Sequence, residues 1–192
     1  ALNQYFASCA GIAILPTAYP FFRGYKLAEQ ACDAAKVPSR GKKTSQASKK
    51  EETPESSCWL DFVILHGEQA PELDQIRKTE YKGDLGNMHF GPYRVDKDGE
   101  EHSLAKLLVC TEDFMKMPAN KVKELRFTAQ KGKADIRLYL EQLKHMGLGL
   151  PRVDGWERFE DTVWNKKDGS AAWQTPYVDA IEIMDYYVPE LQ

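Results

Sequence analysis

The sequence has no C-x-x-C pair and no zinc-finger spacing. Its four cysteines, Cys9, Cys32, Cys58 and Cys110, stand far apart, which leaves both buried thiols and disulfide pairing open. It also lacks the G-x-S-x-G elbow, the P-loop, a G-x-G-x-x-G turn after a strand, H-E-x-x-H and the protein-kinase signature. Those absences weigh against the common hydrolase, nucleotide-binding and metalloprotease classes. Positive charge is not in excess either: the net charge is −3 and the pI is near 5.9. Nucleic-acid binding, which rests on lysine and arginine at phosphates, has no general electrostatic basis here. No cofactor and no metal set is expected.

What is present is an ordinary globular composition. Of 192 residues, 42% are hydrophobic and 29% charged, enough for one well-buried core. The charge is unevenly placed. Residues 1–36 carry three bases and two acids, residues 37–57 five bases and three acids, and residues 58–192 eighteen bases against twenty-four acids. An acidic body with mildly basic N-terminal attachments favours a protein partner with a basic surface, or simply a solvated exterior.

From Ala1 to Phe22 there is no charged residue, and the bases Arg23 and Lys26 follow. That run is long enough to cross a hydrocarbon core. Asn3, Gln4, Ser8 and Thr17 dilute it, however, and Pro16 and Pro20 would break a helix, so a helix packed on the domain is preferred and membrane contact through residues 1–22 is the alternative. Residues 24–36 are rich in helix formers, with Leu27, Ala31, Ala34 and Ala35 at helical spacing. Pro38 is expected to end this helix. Residues 37–57 have Val37 as their only large apolar residue, the composition of a flexible linker or surface loop. The expected organisation is a helical segment over 1–36, a linker over 37–57 and an α+β domain over 58–192.

Within that domain, Cys58–His66 is apolar on both faces and reads as a central strand. A short helix is expected over Ala70–Ile76, and residues 82–87, KGDLGN, have turn chemistry leading into a strand. Asp98-Gly99 between Met88–Val95 and His102–Cys110 predicts a tight hairpin. Residues 125–129 alternate as a half-exposed strand, while Ile136, Tyr139, Leu140, Leu143 and Met146 form a helical stripe stopped by Gly147. Asp168-Gly169 marks a second hairpin, and Tyr177–Tyr187 reads as a last strand. The expected fold is α+β, with a mostly antiparallel sheet built from hairpins and helices packed on it.

Two kinds of site follow. His66, His89 and His102 lie on or beside successive predicted strands, so either a shared face gathers two or three imidazoles for metal binding or proton transfer, with Asp61 or Glu68 nearby, or each is an ordinary strand-end or surface histidine. Cys110 could act as a nucleophile only as an exposed, activated thiolate, and its apolar neighbours point instead to burial. Trp156, Trp164, Trp173 and Tyr177 form an aromatic-rich end suited to binding a partner, or to filling the core. The leading expectation is a non-enzymatic interaction protein, such as an accessory subunit, inhibitor or immunity-type partner, using an acidic, aromatic surface. The alternatives are a small hydrolase or metal-dependent enzyme built on the histidines, and a membrane-complex subunit anchored by residues 1–22.

Overall fold

The computed structural model describes residues 7–40, 57–67, 72–160, 163–166 and 173–189. The chain enters through β1, Ser8–Ile14, and leaves it for helix α1, Phe21–Ser39. It returns through β2, Cys58–Ile64, parallel to β1 and in register from Ser8 opposite Cys58 to Ile14 opposite Ile64. Residues 8–14, expected within a packed helix, are therefore a strand. Their small residues explain it: SCAGIAI makes a thin strand on which α1 lies close, with Gly24, Leu27, Ala31 and Ala35 buried along the helix. Helix α1 also runs past the expected stop, with Pro38 inside its last turn. Most of the expected linker, and the Asp168-Gly169 turn, lie outside the described residues.

β2 is the spine that its composition predicts, buried from Asp61 onward. Its other neighbour is β4, Tyr93–Arg94, which pairs antiparallel, so this sheet has the order β1-β2-β4. A second small sheet has the order β3-β6-β5, from Gly86–Asn87, Trp173–Gln174 and Asn165–Lys166. There β3 and β6 are parallel and β5 and β6 antiparallel. The fold is mixed α+β, but both sheets combine parallel and antiparallel pairs, and the expected stack of antiparallel hairpins is overturned.

The helices account for the difference. After α2, Leu73–Thr79, three of the remaining helices replace expected strands. His102–Cys110, expected as a hairpin arm, belongs largely to α3, Leu104–Met115. Ser103 caps that helix by accepting a hydrogen bond from Ala105 N (3.1 Å), and Leu107, Cys110, Thr111 and Phe114 fall on one buried face. Residues 125–129 lie in α4, Ala119–Ala129, where Val122, Leu125 and Ala129 face inward; an alternation of three apolar residues is also part of a helical stripe. Helix α5, Lys133–His145, matches its predicted stripe, and Gly147 follows with φ +72°. A single turn, α6, spans Glu157–Glu160. The expected last strand is α7, Tyr177–Ile183, buried at Tyr177–Glu182 and packed against α3 and α4. A helix buried on all sides has no amphipathic signature, so its apolar run reads equally well as a strand.

Three of the four residues expected at an aromatic binding surface are in the core. Trp156, Trp164 and Tyr177 are buried, and each polar tip is satisfied by a backbone carbonyl: Trp156 donates to Glu101 O (2.8 Å), Trp164 to Ala129 O (3.2 Å) and Tyr177 to Pro151 O (3.2 Å). Trp173 alone remains partly exposed. Among the described residues no helix is long and apolar enough to cross a membrane.

The β1–α1 contact leaves no room at Gly11. A Cβ there would lie 2.1 Å from Ala28 O and 2.3 Å from Cys32 N, both backbone atoms that cannot swing aside. Gly11→Ala is expected to cost about 2–3 kcal/mol through forced separation of strand and helix. Gly99→Ala, where nothing lies within 4 Å, should change stability by less than about 0.5 kcal/mol. Urea unfolding of the two variants checks this; equal midpoints would show that α1 does not press on β1.

Candidate functional site

Two imidazoles meet carboxylates of the same helix. Asp179 and Glu182 are three residues apart on α7, so they project from neighbouring faces of one turn. Both are buried. β2 supplies the matching groups: Asp61 from its middle, and His66 two residues beyond its end.

The inner centre is built around His89, on the connection from β3 to β4. Its Nδ1 lies 3.0 Å from Asp179 Oδ1 and its Nε2 lies 2.9 Å from Asp61 Oδ1. With a carboxylate at each nitrogen, both nitrogens donate, and the ring is an imidazolium. Burial opposes that charge, but Asp179 and Asp61 outweigh it and raise the His89 pKa to about 9. Burial likewise pushes the Asp61 carboxyl upward, and hydrogen bonding to His89 with the charges of His89 and Arg77 reverses this, leaving it below the ordinary value. Arg77 Nη2 donates to Asp61 Oδ2 (2.6 Å). It also lies 3.0 Å from His89 Nε2, but both are donors that converge on one carboxylate. Asp179 Oδ2 accepts from Phe90 N (2.8 Å), Gly91 N (3.2 Å) and the Tyr93 hydroxyl (2.5 Å). Burial, and then the carboxylates, drive Tyr93 well above the ordinary phenol value, so it stays a neutral donor. Gly91 is needed beside this cluster because a Cβ there would meet His89 Nε2 at 2.7 Å. Two cations and two anions balance in the interior, and only Arg77, with a fifth of its side chain exposed, touches water.

The outer centre is open. His66 Nε2 donates to Glu182 Oε2, and Arg126, from α4, donates from Nε to Glu182 Oε1. The His66 side chain is 46% exposed whereas Glu182 is 1% exposed. The hydrogen bond to Glu182 raises the His66 pKa, against partial burial and the charge of Arg126. His66 stands on the rim of a pocket of about 540 Å³ that Lys123, Arg126, Phe127 and Glu182 also line. Leu65 N donates to Ile14 O (3.0 Å) at the carboxyl ends of β1 and β2, so His66 occupies the position outside parallel strands where open α/β sheets place ligands. Tyr81 is buried beside His89, with 6.0 Å between the ring centroids. Burial and the charges of Glu182 and Asp179 push its hydroxyl far above the usual range, and that hydroxyl donates to Ile64 O (3.4 Å).

The three predicted histidines thus occupy three separate settings, since His102 stacks on Phe90 at 4.1 Å between ring centroids. Among the described residues no group of three or more His, Cys, Asp or Glu is placed to hold a metal ion. Cys110 is fully buried, which pushes its thiol well above the ordinary value; it is a core residue and no nucleophile. All four cysteines are free. Asp179, Glu182, Arg77, Arg126 and Tyr93 were absent from the predicted site. The available signal was YVDAIEI, where two acids interrupt an apolar run, since acids in a buried segment require partners.

The inner centre makes stability depend on pH. His89 titrates near 6.5 unfolded and near 9 folded, so its contribution is complete below about pH 6.5 and is lost as pH rises through about 9. Asp61 has the opposite sign: its contribution holds above 3.8 and is lost as pH falls through its lower folded value. Urea unfolding from pH 5 to 10 is expected to show an alkaline decline that His89→Gln flattens, and an unaltered decline in that variant would refute the assignment. Asp179→Asn, which leaves His89 with one carboxylate, should cost about 3–5 kcal/mol at neutral pH. No protein-family model matches the chain, and no curated protein matches it.

Proposed function

We propose that the His66–Glu182 pair is an acid–base centre and that the protein is a small enzyme acting on a polar substrate held in the adjoining pocket. One observation carries the reading: a half-exposed imidazole, on the rim of a pocket of drug-sized volume, is held through one nitrogen by a carboxylate with no access to water. Glu182 accepts the hydrogen bond from Nε2–H and so fixes the tautomer in which Nδ1 is the acceptor. Among the described residues nothing occupies Nδ1. It can accept a proton from water or a substrate hydroxyl as that oxygen attacks an acyl or phosphoryl centre, and Glu182 stabilises the imidazolium that results. The same proton then passes from Nδ1 to the leaving oxygen, and the imidazole returns to its starting form. Arg126, held by Glu182, is the cation nearest this pair in the pocket, while Lys123 there is paired with Asp185; the guanidinium faces a substrate whose oxygens gain negative charge.

The interaction-protein reading keeps one supporting observation, at a different place from the one expected. Phe21, Phe22 and Tyr25, at the start of α1, are 85%, 77% and 60% exposed, and Arg23 and Lys26 stand among them. Contiguous exposed aromatics mark contact surfaces more often than chance solvent exposure. Loss of a partner on changing all three to alanine, with turnover intact, would favour this reading.

Histidine NMR titration separates a working dyad from an incidental contact. The His66 pKa is expected above 6.5 and should fall in Glu182→Gln. A panel of chromogenic esters and phosphate esters should contain a substrate whose kcat drops about 10²- to 10⁴-fold in His66→Gln, with the fold retained because the glutamine amide can still donate to Glu182 and Arg126 still does. An unshifted His66 pKa, or equal turnover by His66→Gln, would overturn the proposal.

A further inference from the structure

We propose that a second pocket, between the start of α5 and β6, binds an amphipathic anion: a carboxylate or sulfonate carried on an apolar body. The pocket has a volume of about 660 Å³, within the range of roughly 300–1,000 Å³ typical of small-molecule sites. Its apolar wall comes from Leu138, 58% exposed, and from the edges of Ile136, Trp164 and Trp173.

Two ammonium groups stand on the indole that forms part of this wall. Lys133 Nζ sits 3.8 Å from the centroid of the Trp173 ring, and Lys166 Nζ sits 5.5 Å from the same centroid. Among the described residues neither ammonium has a carboxylate partner. Lys26, Lys36, Lys116, Lys121 and Lys123, by contrast, each have a carboxylate oxygen within 3.2 Å. The acid that lines this pocket, Glu141, lies 3.5 Å from Arg137 on the same helix. The indole of Trp173 therefore holds the ammonium of Lys133, which lines the cavity, and has that of Lys166 nearby, and their positive charge is left for a ligand. A neutral apolar molecule would leave them unmatched, and a simple inorganic anion would leave Leu138 and Trp173 wet. A molecule with both parts satisfies both halves of the site. This inference does not depend on the acid–base centre, which uses other residues and another pocket.

8-Anilinonaphthalene-1-sulfonate, titrated against the full chain by fluorescence, tests it, with N-phenyl-1-naphthylamine as the uncharged analogue. Saturable binding of the sulfonate is expected, at least tenfold tighter than that of the neutral compound. Lys133→Gln combined with Lys166→Gln should weaken sulfonate binding at least tenfold and abolish the preference over the neutral analogue. Leu138→Ser should weaken both probes, and Lys144→Gln, exposed near the far end of α5, should change neither. Displacement by dodecanoate identifies an aliphatic carrier and displacement by 1-naphthoate an aromatic one. The changed lysines are exposed, so an unchanged circular dichroism spectrum accompanies the expected loss. Equal binding of the two probes, sulfonate binding that survives the paired lysine change, or no saturable binding would each overturn the proposal.

Discussion

The fold depends on finding partners for two carboxylates that α7 carries into the interior. A carboxylate left alone in such a place costs several kcal/mol even after relaxation, so the apolar contacts of Val178, Ala180 and Ile181 are available only if Asp179 and Glu182 are met. Asp179 is met by four donors drawn from five consecutive positions, His89 to Tyr93. That segment is thereby tied to α7, and Tyr93 continues into the pairing of β4 with β2 opposite Leu60. The smallest strand of the principal sheet is located by a helix more than eighty residues later in the chain. Glu182 is met by His66 and Arg126, which joins the end of β2 to α4.

Asp61 extends the same logic to the spine of the sheet. A charged residue in a strand buried on that side would be excluded if it stood alone, yet between His89 and Arg77 it completes a neutral set of two cations and two anions. The arrangement is specific in a way that apolar packing is not, because each donor fits one acceptor. Tyr81, buried and kept neutral by that burial and by the charges of Glu182 and Asp179, packs edge-on against His89.

Much of the fold was legible where a pattern had only one reading. β2 announced itself by an unbroken β-rich run, and α5 by a stripe too long for a strand. Residues 134–146 carried both periods over their first half, and the longer one prevailed. The errors fell where local pattern and tertiary setting diverged. At 102–110 an Asp-Gly pair suggested a hairpin, but Ser103 caps a helix immediately after it, and the cap together with the face formed by Leu107, Cys110 and Phe114 outweighs the turn. At 177–187 burial on every side erased the helical period. That second error also concealed the site, because a strand would send Asp179 and Glu182 to opposite faces, whereas a helix brings both to bear on elements next to β2. Of the histidines expected to share a face, His66 and His89 meet acids on α7 that lie more than a hundred positions away for His66 and ninety for His89, a separation that no local motif spans, whereas Asp61, expected nearby, is 28 positions from His89.

The two histidine centres share one chemistry and differ in access to water, and that difference assigns their roles. His89 has both nitrogens committed to carboxylates and 4% of its side chain exposed. A proton there has nowhere to go, so the pair acts on stability alone. His66 commits one nitrogen to a buried acid and keeps the other at the edge of a pocket, with nearly half its surface exposed. Its charge can therefore follow the protonation of whatever enters. Glu182 and Asp179 ride on the same turn of a helix fixed from three sides, so the rigid inner set holds the outer carboxylate in place. An acid–base group at a surface is effective only when its orientation does not have to be found anew for each substrate. On the proposed acid–base reading, the buried imidazolium supplies that orientation through α7, and the exposed imidazole is the group that uses it.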